Sequence, residues 1–271
     1  CPRYPPPLLR RRPLVSIIVR LHSVYGALYH WFVMFWNRSY RNFTPHRSIP
    51  VTKEFRLYLK RLLLMPVLAL DRLRATLRIR LGGFPYHLAL LQLEHDSAFQ
   101  NHSPFETMAD FLELVIEGFA KGAPQHHHLV IKAHPLEDGR VPVRRDARRL
   151  ARAYGVADRV HFVRGGKLAQ LLNDTRSAVT VNSTAGQQVL WRGIPLKVFG
   201  RAVYSQPEFV SEQPLPEFFA AASRPDNRPY QDYPRSLLQT HQVPRGHYGA
   251  PGRRQVPGGG GGGAPPGRSA A

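Results

Sequence analysis

Hydrophobic positions in the middle and second half of the chain recur as short, β-branched runs separated by stretches with helical spacing. His87 to Leu93 reads as a strand. Met108, Leu112, Val115 and Phe119 then form one apolar stripe of a helix, introduced by Ser103-Pro-Phe-Glu106, which reads as a capping box with proline at the first helical position. A strand from Leu129 to Ala133 follows, then a helix from Val143 to Tyr154 ended by Gly155 and a strand from Arg159 to Val163. A short helix from Lys167 to Asn173, a strand from Ala178 to Val181, a helix from Ala185 to Arg192 and a strand from Leu196 to Phe199 complete the pattern. Strands that alternate with helices need crossover connections, so the pattern predicts an α/β fold with a Rossmann-like, mainly parallel sheet.

The first 83 residues read differently. Tyr25 to Phe43 is dense in aromatic residues mixed with arginines, and Leu57 to Leu81 alternates Leu with Arg at helical spacing, with Pro66 predicting two shorter helices there. Arg56, Lys60, Arg61, Arg72, Arg74, Arg78 and Arg80 either form a basic amphipathic surface for anionic headgroups or line a solvated helix face packed by its leucines. Leu14 to Phe35 is the most apolar window, but Arg20, His22 and His30 interrupt it, so a membrane-spanning helix is not expected. The chain opens on Cys-Pro-Arg-Tyr-Pro-Pro-Pro, which is neither an initiator methionine nor a signal peptide, and it is expected to be a piece of a longer protein. After Gly200 the pattern loosens: Phe218 and Phe219 are expected to pack on the sheet, and Tyr230 to Gln239 reads as a helix weakened by Pro234. The expected division is a basic helical segment over 1–83, a nucleotide-sugar-binding domain over 84–200, a returning segment over 201–248 and a disordered Gly/Pro/Ser-rich tail over 249–271.

A chain of 271 residues with 43% hydrophobic residues can bury a core and suits a soluble globular class. The formal net charge of +20 invites a nucleic-acid or anionic-membrane partner, yet only six of the 38 basic residues are lysine. So large an excess of arginine also follows from GC-rich coding, and no nucleic-acid motif accompanies it. The one cysteine, Cys1, excludes an internal disulfide framework and a cysteine-based zinc site; His126-His-His128 lacks ligand spacing, so no metal is expected.

Two segments carry candidate chemistry. Val179-Thr-Val-Asn-Ser-Thr-Ala-Gly186 reads as strand, tight turn and helix N-terminus, where unpaired amides and the Ser183 and Thr184 hydroxyls offer donors to a phosphate. An ordinary capped strand-to-helix turn has the same pattern. In His128-Leu-Val-Ile-Lys-Ala-His-Pro135 an apolar run ends in Lys132, His134 and Pro135; proline cannot continue a buried strand, so these residues belong at the strand's carboxyl end, where open α/β sheets bind ligands. No Walker-type loop and no Gly-x-Gly-x-x-Gly is present, and without Asp-x-Asp a metal-dependent sugar-nucleotide site has no support.

Lys-x-His-Pro followed by Val-Asn-Ser-Thr-x-Gly resembles the capsule polysaccharide biosynthesis and export family, whose characterised members are Kdo transferases using CMP-Kdo. Gly193 to Gly200, Ala202 to Tyr204, Leu90 to Phe105, Tyr40 to Arg47 and, less closely, Pro244 to Tyr248 extend the resemblance over roughly residues 30 to 254. It implies the donor-binding half of a GT-B-type glycosyltransferase that moves Kdo from CMP-Kdo to a phospholipid-linked acceptor with retention, with no cofactor beyond the donor substrate. The family's nucleophilic aspartate falls on Asp96, four residues after Gln92; Glu94 is the competing carboxylate, and a loop aspartate capping Ala98 is the plainer role. By the same resemblance His134 protonates or hydrogen-bonds the departing phosphate, Lys132 neutralises it, Asn182, Ser183 and Thr184 hold it, Gln187 or Gln188 reaches sugar or base, and Tyr204 helps close the site. A loop histidine that only satisfies a carbonyl is the alternative for His134. The implied setting is cytoplasmic and peripheral to the inner membrane, with that anionic surface and capsule assembly or export proteins as partners. The competing function is a non-catalytic basic fragment that binds anionic membrane or polyanion.

Overall fold

The computed structural model describes residues 14–36, 50–137, 139–165, 167–223 and 230, with side chains from Val24 onward. The expected helix over 230–239, apart from Tyr230, and the tail after Gly249 lie outside the described residues, as do Tyr40 to Arg47 and Pro244 to Tyr248. Packing divides the chain between Asn227 and Arg228, so the helical N-terminal segment and the sheet belong to one compact unit, with no break near residue 83 or 200.

Two long helices come first, α1 (Leu14–Phe35) and α2 (Val51–Leu81). The α/β unit follows as β1 (Tyr86–Leu90), α3 (Ser97–His102), α4 (Met108–Gly122), β2 (His128–Ala133), α5 (Val143–Ala153), β3 (Val160–Arg164), α6 (Leu168–Leu171), β4 (Thr175–Thr180), α7 (Ala185–Trp191), β5 (Leu196–Val198) and α8 (Leu215–Ala220). All neighbouring strands are parallel, in the order β3-β2-β1-β4-β5. The α/β, Rossmann-like parallel sheet expected from the sequence is thus the fold. The strand order reverses at β1, which places a topological switch point between the carboxyl ends of β1 and β4.

The main hydrophobic cluster lies on one face of the sheet, and Leu88, Val130 and Ala178 on the opposite face are buried as well. Leu129, Ile131 and Val179 meet the α4 stripe of Phe111, Leu112, Val115 and Phe119, and Leu215, Phe218 and Phe219 of α8 complete the cluster. Phe218 and Phe219, both fully buried, therefore pack as their apolar character predicted. At roughly 1.5–3 kcal/mol per fully buried large apolar side chain, this cluster fixes α4 and α8 against that face of the sheet.

Three expectations need correction. The N-cap of α4 is Thr107, whose hydroxyl accepts from the Asp110 amide while the Asp110 carboxylate accepts from the Thr107 amide. The Ser103 to Glu106 box is instead a turn, because the Glu94 carboxylate takes the amide of Met108 at 2.7 Å and fixes the helix start there. α2 runs without a break through Pro66: that residue is exposed, so water can satisfy the carbonyl freed one turn earlier, and distant contacts on either side hold the helix together. Finally, β1 ends at Leu90 and Glu94 to Asp96 form a turn, so strand alternation does not set their directions.

Candidate functional site

The carboxyl ends of β2, β3 and β4 open into a cleft of about 2370 Å³, whose far wall is α2. Lys132, His134, Arg164, Lys167, Ser183 and Thr184 all line it, and Glu137 is the only carboxylate among the described lining residues. Such a cleft presents a concentrated positive field to an anion.

Lys132 is the penultimate residue of β2, paired in register with Leu90 and Val163. Only 6% of it is exposed, and burial lowers its ammonium pKa from 10.5 to about 8. No carboxylate contributes to that value, so this is a buried cation without a counter-charge among the described residues. Two residues on, the His134 ring accepts the Leu136 amide at Nδ1 over 3.1 Å. The neutral ring therefore carries its proton on Nε2, where it is a donor. Burial first, and then the Lys132 charge, hold its pKa below the ordinary value; Asp96 acts in the opposite direction, and Arg61 and His95 depress it further.

The turn after β4 is organised by its own polar atoms. Ser183 Oγ accepts the Ala185 amide at 3.3 Å, capping the first turn of α7, while Thr184 is exposed and makes no cap bond. Tyr204 hydroxyl donates to the Ser183 carbonyl, and Gly186 is required beneath it because an added Cβ would lie 2.6 Å from that hydroxyl. Asn182 faces the switch point: its amide donates to the Ala98 carbonyl at 2.7 Å and its carbonyl accepts from Gln92 at 2.5 Å. Its side chain thus ties the loop after β4 to the loop after β1. Gln187 and Gln188 are exposed, and only Gln188 lines the cleft.

The two candidate carboxylates differ. Glu94 is engaged by the Met108 amide, while Asp96 is exposed and caps α3 through a long 3.4 Å bond from the Ala98 amide. Asp96 is not among the lining residues of the cleft, although its charge reaches His134.

Arg61, expected on a basic or solvated helix surface, is instead buried. Arg61, in the middle of α2, donates to the carbonyls of Pro135 at 2.8 Å and Leu136 at 3.1 Å, and so clamps the loop that carries His134. Glu54 of the same helix holds Arg140 at 3.0 Å, and Asp71 holds Arg144 at 3.0 Å. These contacts span more than seventy residues, which no local pattern encodes.

An open parallel α/β sheet with a cationic cleft at its carboxyl edge defines a ligand-binding protein of the Rossmann-like class. The chain belongs to the capsule polysaccharide biosynthesis family, since residues 19–248 match the family model described as Capsule polysaccharide biosynthesis protein. It is 34% identical over 163 residues to the capsule polysaccharide export protein KpsS of Escherichia coli, covering 60% of this chain and 42% of that protein. It is 27% identical over 226 residues to the capsule polysaccharide modification protein LipB of Neisseria meningitidis serogroup A, covering 82% of this chain and 54% of LipB. The chain thus spans about half the length of the curated relatives it matches. Among solved structures it is similar to the β-Kdo 2,7 transferase KpsC of Thermosulfurimonas dismutans, at 17% identity and a TM-score of 0.37, covering 58% of this chain and 52% of that one. It is also similar to WaaG, a glycosyltransferase involved in lipopolysaccharide biosynthesis, at 16% identity and a TM-score of 0.36, covering 63% and 47%.

Proposed function

We propose that this chain is the donor-binding half of a GT-B-type glycosyltransferase in capsule assembly, which transfers Kdo from CMP-Kdo to a phospholipid-linked acceptor with retention. The observation that carries this is Lys132, a buried lysine without a carboxylate partner, aimed into a cleft at the end of a parallel strand beside the Ser183-Thr184 turn. A phosphate monoanion or dianion supplies the missing counter-charge. Neutral His134 offers its Nε2 proton to the same phosphate, Ser183 and Thr184 hold it, and Gln188, the glutamine that lines the cleft, reaches the sugar or base. In the chemical step the Asp96 carboxylate attacks the anomeric carbon as its bond to the phosphate oxygen breaks and CMP departs, stabilised by Lys132 and His134. An acceptor hydroxyl then displaces Asp96 from the same carbon, losing its proton to base, so two inversions give net retention. No cofactor enters.

CMP at saturation is expected to raise the melting temperature of the chain, and Ser183→Ala with Thr184→Ala to remove most of the shift, since each lost hydrogen bond to a charged group costs roughly 1.5–3 kcal/mol. A shift that survives the double substitution places the phosphate elsewhere.

One further observation favours a surface role beside catalysis. Tyr25, Phe32 and Phe35 on α1, Trp36 just after it, and Leu63 and Val67 on α2 are more than half exposed, and Arg56 and Lys60 of α2 are exposed too. No helix among the described residues is long and apolar enough to cross a membrane. These residues instead suit a peripheral contact with the anionic inner-membrane surface on its cytoplasmic side. Cosedimentation with phosphatidylglycerol vesicles should weaken as salt rises; equal binding to neutral vesicles at high salt would reject the contact.

A further inference from the structure

A second pocket of about 590 Å³ lies beside the cleft, between α2, α5 and β3. Its rim is built from Arg74 and Arg78 on one helix and Arg148 and Arg152 on the other, all four exposed. The only carboxylate in its described lining, Asp71, is already held by both terminal nitrogens of Arg144, at 3.0 and 3.4 Å. No ion pair among the described residues engages the other four. Each pair stands four residues apart on its helix, the spacing at which like charges repel, and the two rows converge on one cavity. Arginines supplied only by coding bias have no reason to gather so. A bound polyanion is what relieves the repulsion.

We propose that this pocket binds a segment of an acidic oligosaccharide, its sugar carboxylates paired with the four guanidiniums. Arginine forks match carboxylates in bidentate geometry, and successive guanidiniums on one helix face stand about 6 Å apart along its axis, a reach comparable to one sugar ring. Small residues line it between the arginines, the buried Ala147 and Ala151 and the exposed Ala157, which leave room for a pyranose face. No tyrosine or tryptophan is among the described lining residues to stack a nucleic-acid base; Phe162 is packed against the core cluster, and the ring of His161 is stacked against Phe84 and His128. Arg144, Arg148 and Arg152 line both this pocket and the larger cleft, so a chain held here can run on into it. Membership of a capsule polysaccharide family makes a glycan the polyanion of choice. Arg74 and Arg78 line only this pocket, so binding here can be separated from the donor site.

The test is binding of fluorescently labelled oligogalacturonate to the full chain, with dextran of equal length and a single-stranded oligonucleotide as competitors. Oligogalacturonate is expected to bind with an affinity that falls as salt rises, dextran not to compete, and Arg74→Gln, Arg78→Gln, Arg148→Gln and Arg152→Gln together to weaken binding more than tenfold. Arg74→Gln with Arg78→Gln alone, at residues that line only this pocket, should also weaken oligogalacturonate binding, melt no lower than the wild type and keep its stabilisation by CMP, so a fault in the donor site registers separately. Arg192→Gln with Arg201→Gln, exposed arginines outside the pocket, should change the affinity less than twofold. Equal losses in this variant and the fourfold one would reduce the effect to general charge and overturn the proposal, as would an oligonucleotide that competes more strongly than unlabelled oligogalacturonate.

Discussion

Glu94 and Asp96 stand two residues apart in one turn, and their surroundings separate their roles. Glu94 fixes the start of α4 through a 2.7 Å bond from the Met108 amide, so Glu94→Ala should lower stability by roughly 1.5–3 kcal/mol in urea unfolding. Asp96 makes only a 3.4 Å cap to a six-residue helix, so Asp96→Ala should cost under about 1 kcal/mol. If Asp96 forms the glycosyl adduct, donor trapped on the protein should appear by mass spectrometry on the peptide containing it, and still appear there in Glu94→Ala. An adduct on another peptide would refute the assignment. The placement of Lys132, His134 and Ser183 at strand ends lining one cleft was legible in the sequence because a proline and a run of small polar residues mark strand ends, and strand ends in a parallel sheet converge. The bonds that occupy Asn182 and Glu94 were not, since each depends on a partner from a loop that only the strand order brings close.

At the scale of elements, short apolar runs alternating with helical stretches located every strand of the sheet to within a few residues, and the central strands β1, β2 and β4 are buried along most of their length. The helix α2 was misjudged. Whether proline breaks a helix depends on what holds its two halves, and here Glu54, Arg61 and Asp71 are each tied to the loop and helix after β2. The close packing of α7 leads to a prediction of its own. Gly186→Ala places a methyl group 2.6 Å from the Tyr204 hydroxyl, so α7 must shift, with a loss of roughly 1–3 kcal/mol on chemical unfolding and weaker CMP binding. Unchanged stability and affinity would mean that Tyr204 moves aside freely and does not brace the turn.

Over the whole molecule, the N-terminal helices and the sheet form a single compact unit, and α2 supplies one wall of the cleft that the strand ends open. The sequence boundary at residue 83 followed a change of composition, which marks where the periodicity changes and not where packing ends. What unites the cleft is its unbalanced charge, of which Lys132 and Arg61 are buried parts. Because burial lowers the Lys132 pKa from 10.5 to about 8, the ligand-free protein should gain stability from this group as pH rises from about 8 through 10.5, and should carry a net penalty below that window. Lys132→Met should therefore stabilise the ligand-free chain at pH 7, by on the order of 1–3 kcal/mol, while removing the counter-charge that a phosphate needs. The decisive measurement is calorimetric titration of CMP into the wild type and into Lys132→Met at pH 7, with unfolding of both followed in parallel. Saturable binding to the wild type, together with at least a tenfold loss in a variant that is as stable or more so, is the expected result. CMP binding of equal affinity in a folded Lys132→Met, or no CMP binding to the folded wild type, would contradict a nucleotide-sugar phosphate held at this strand end.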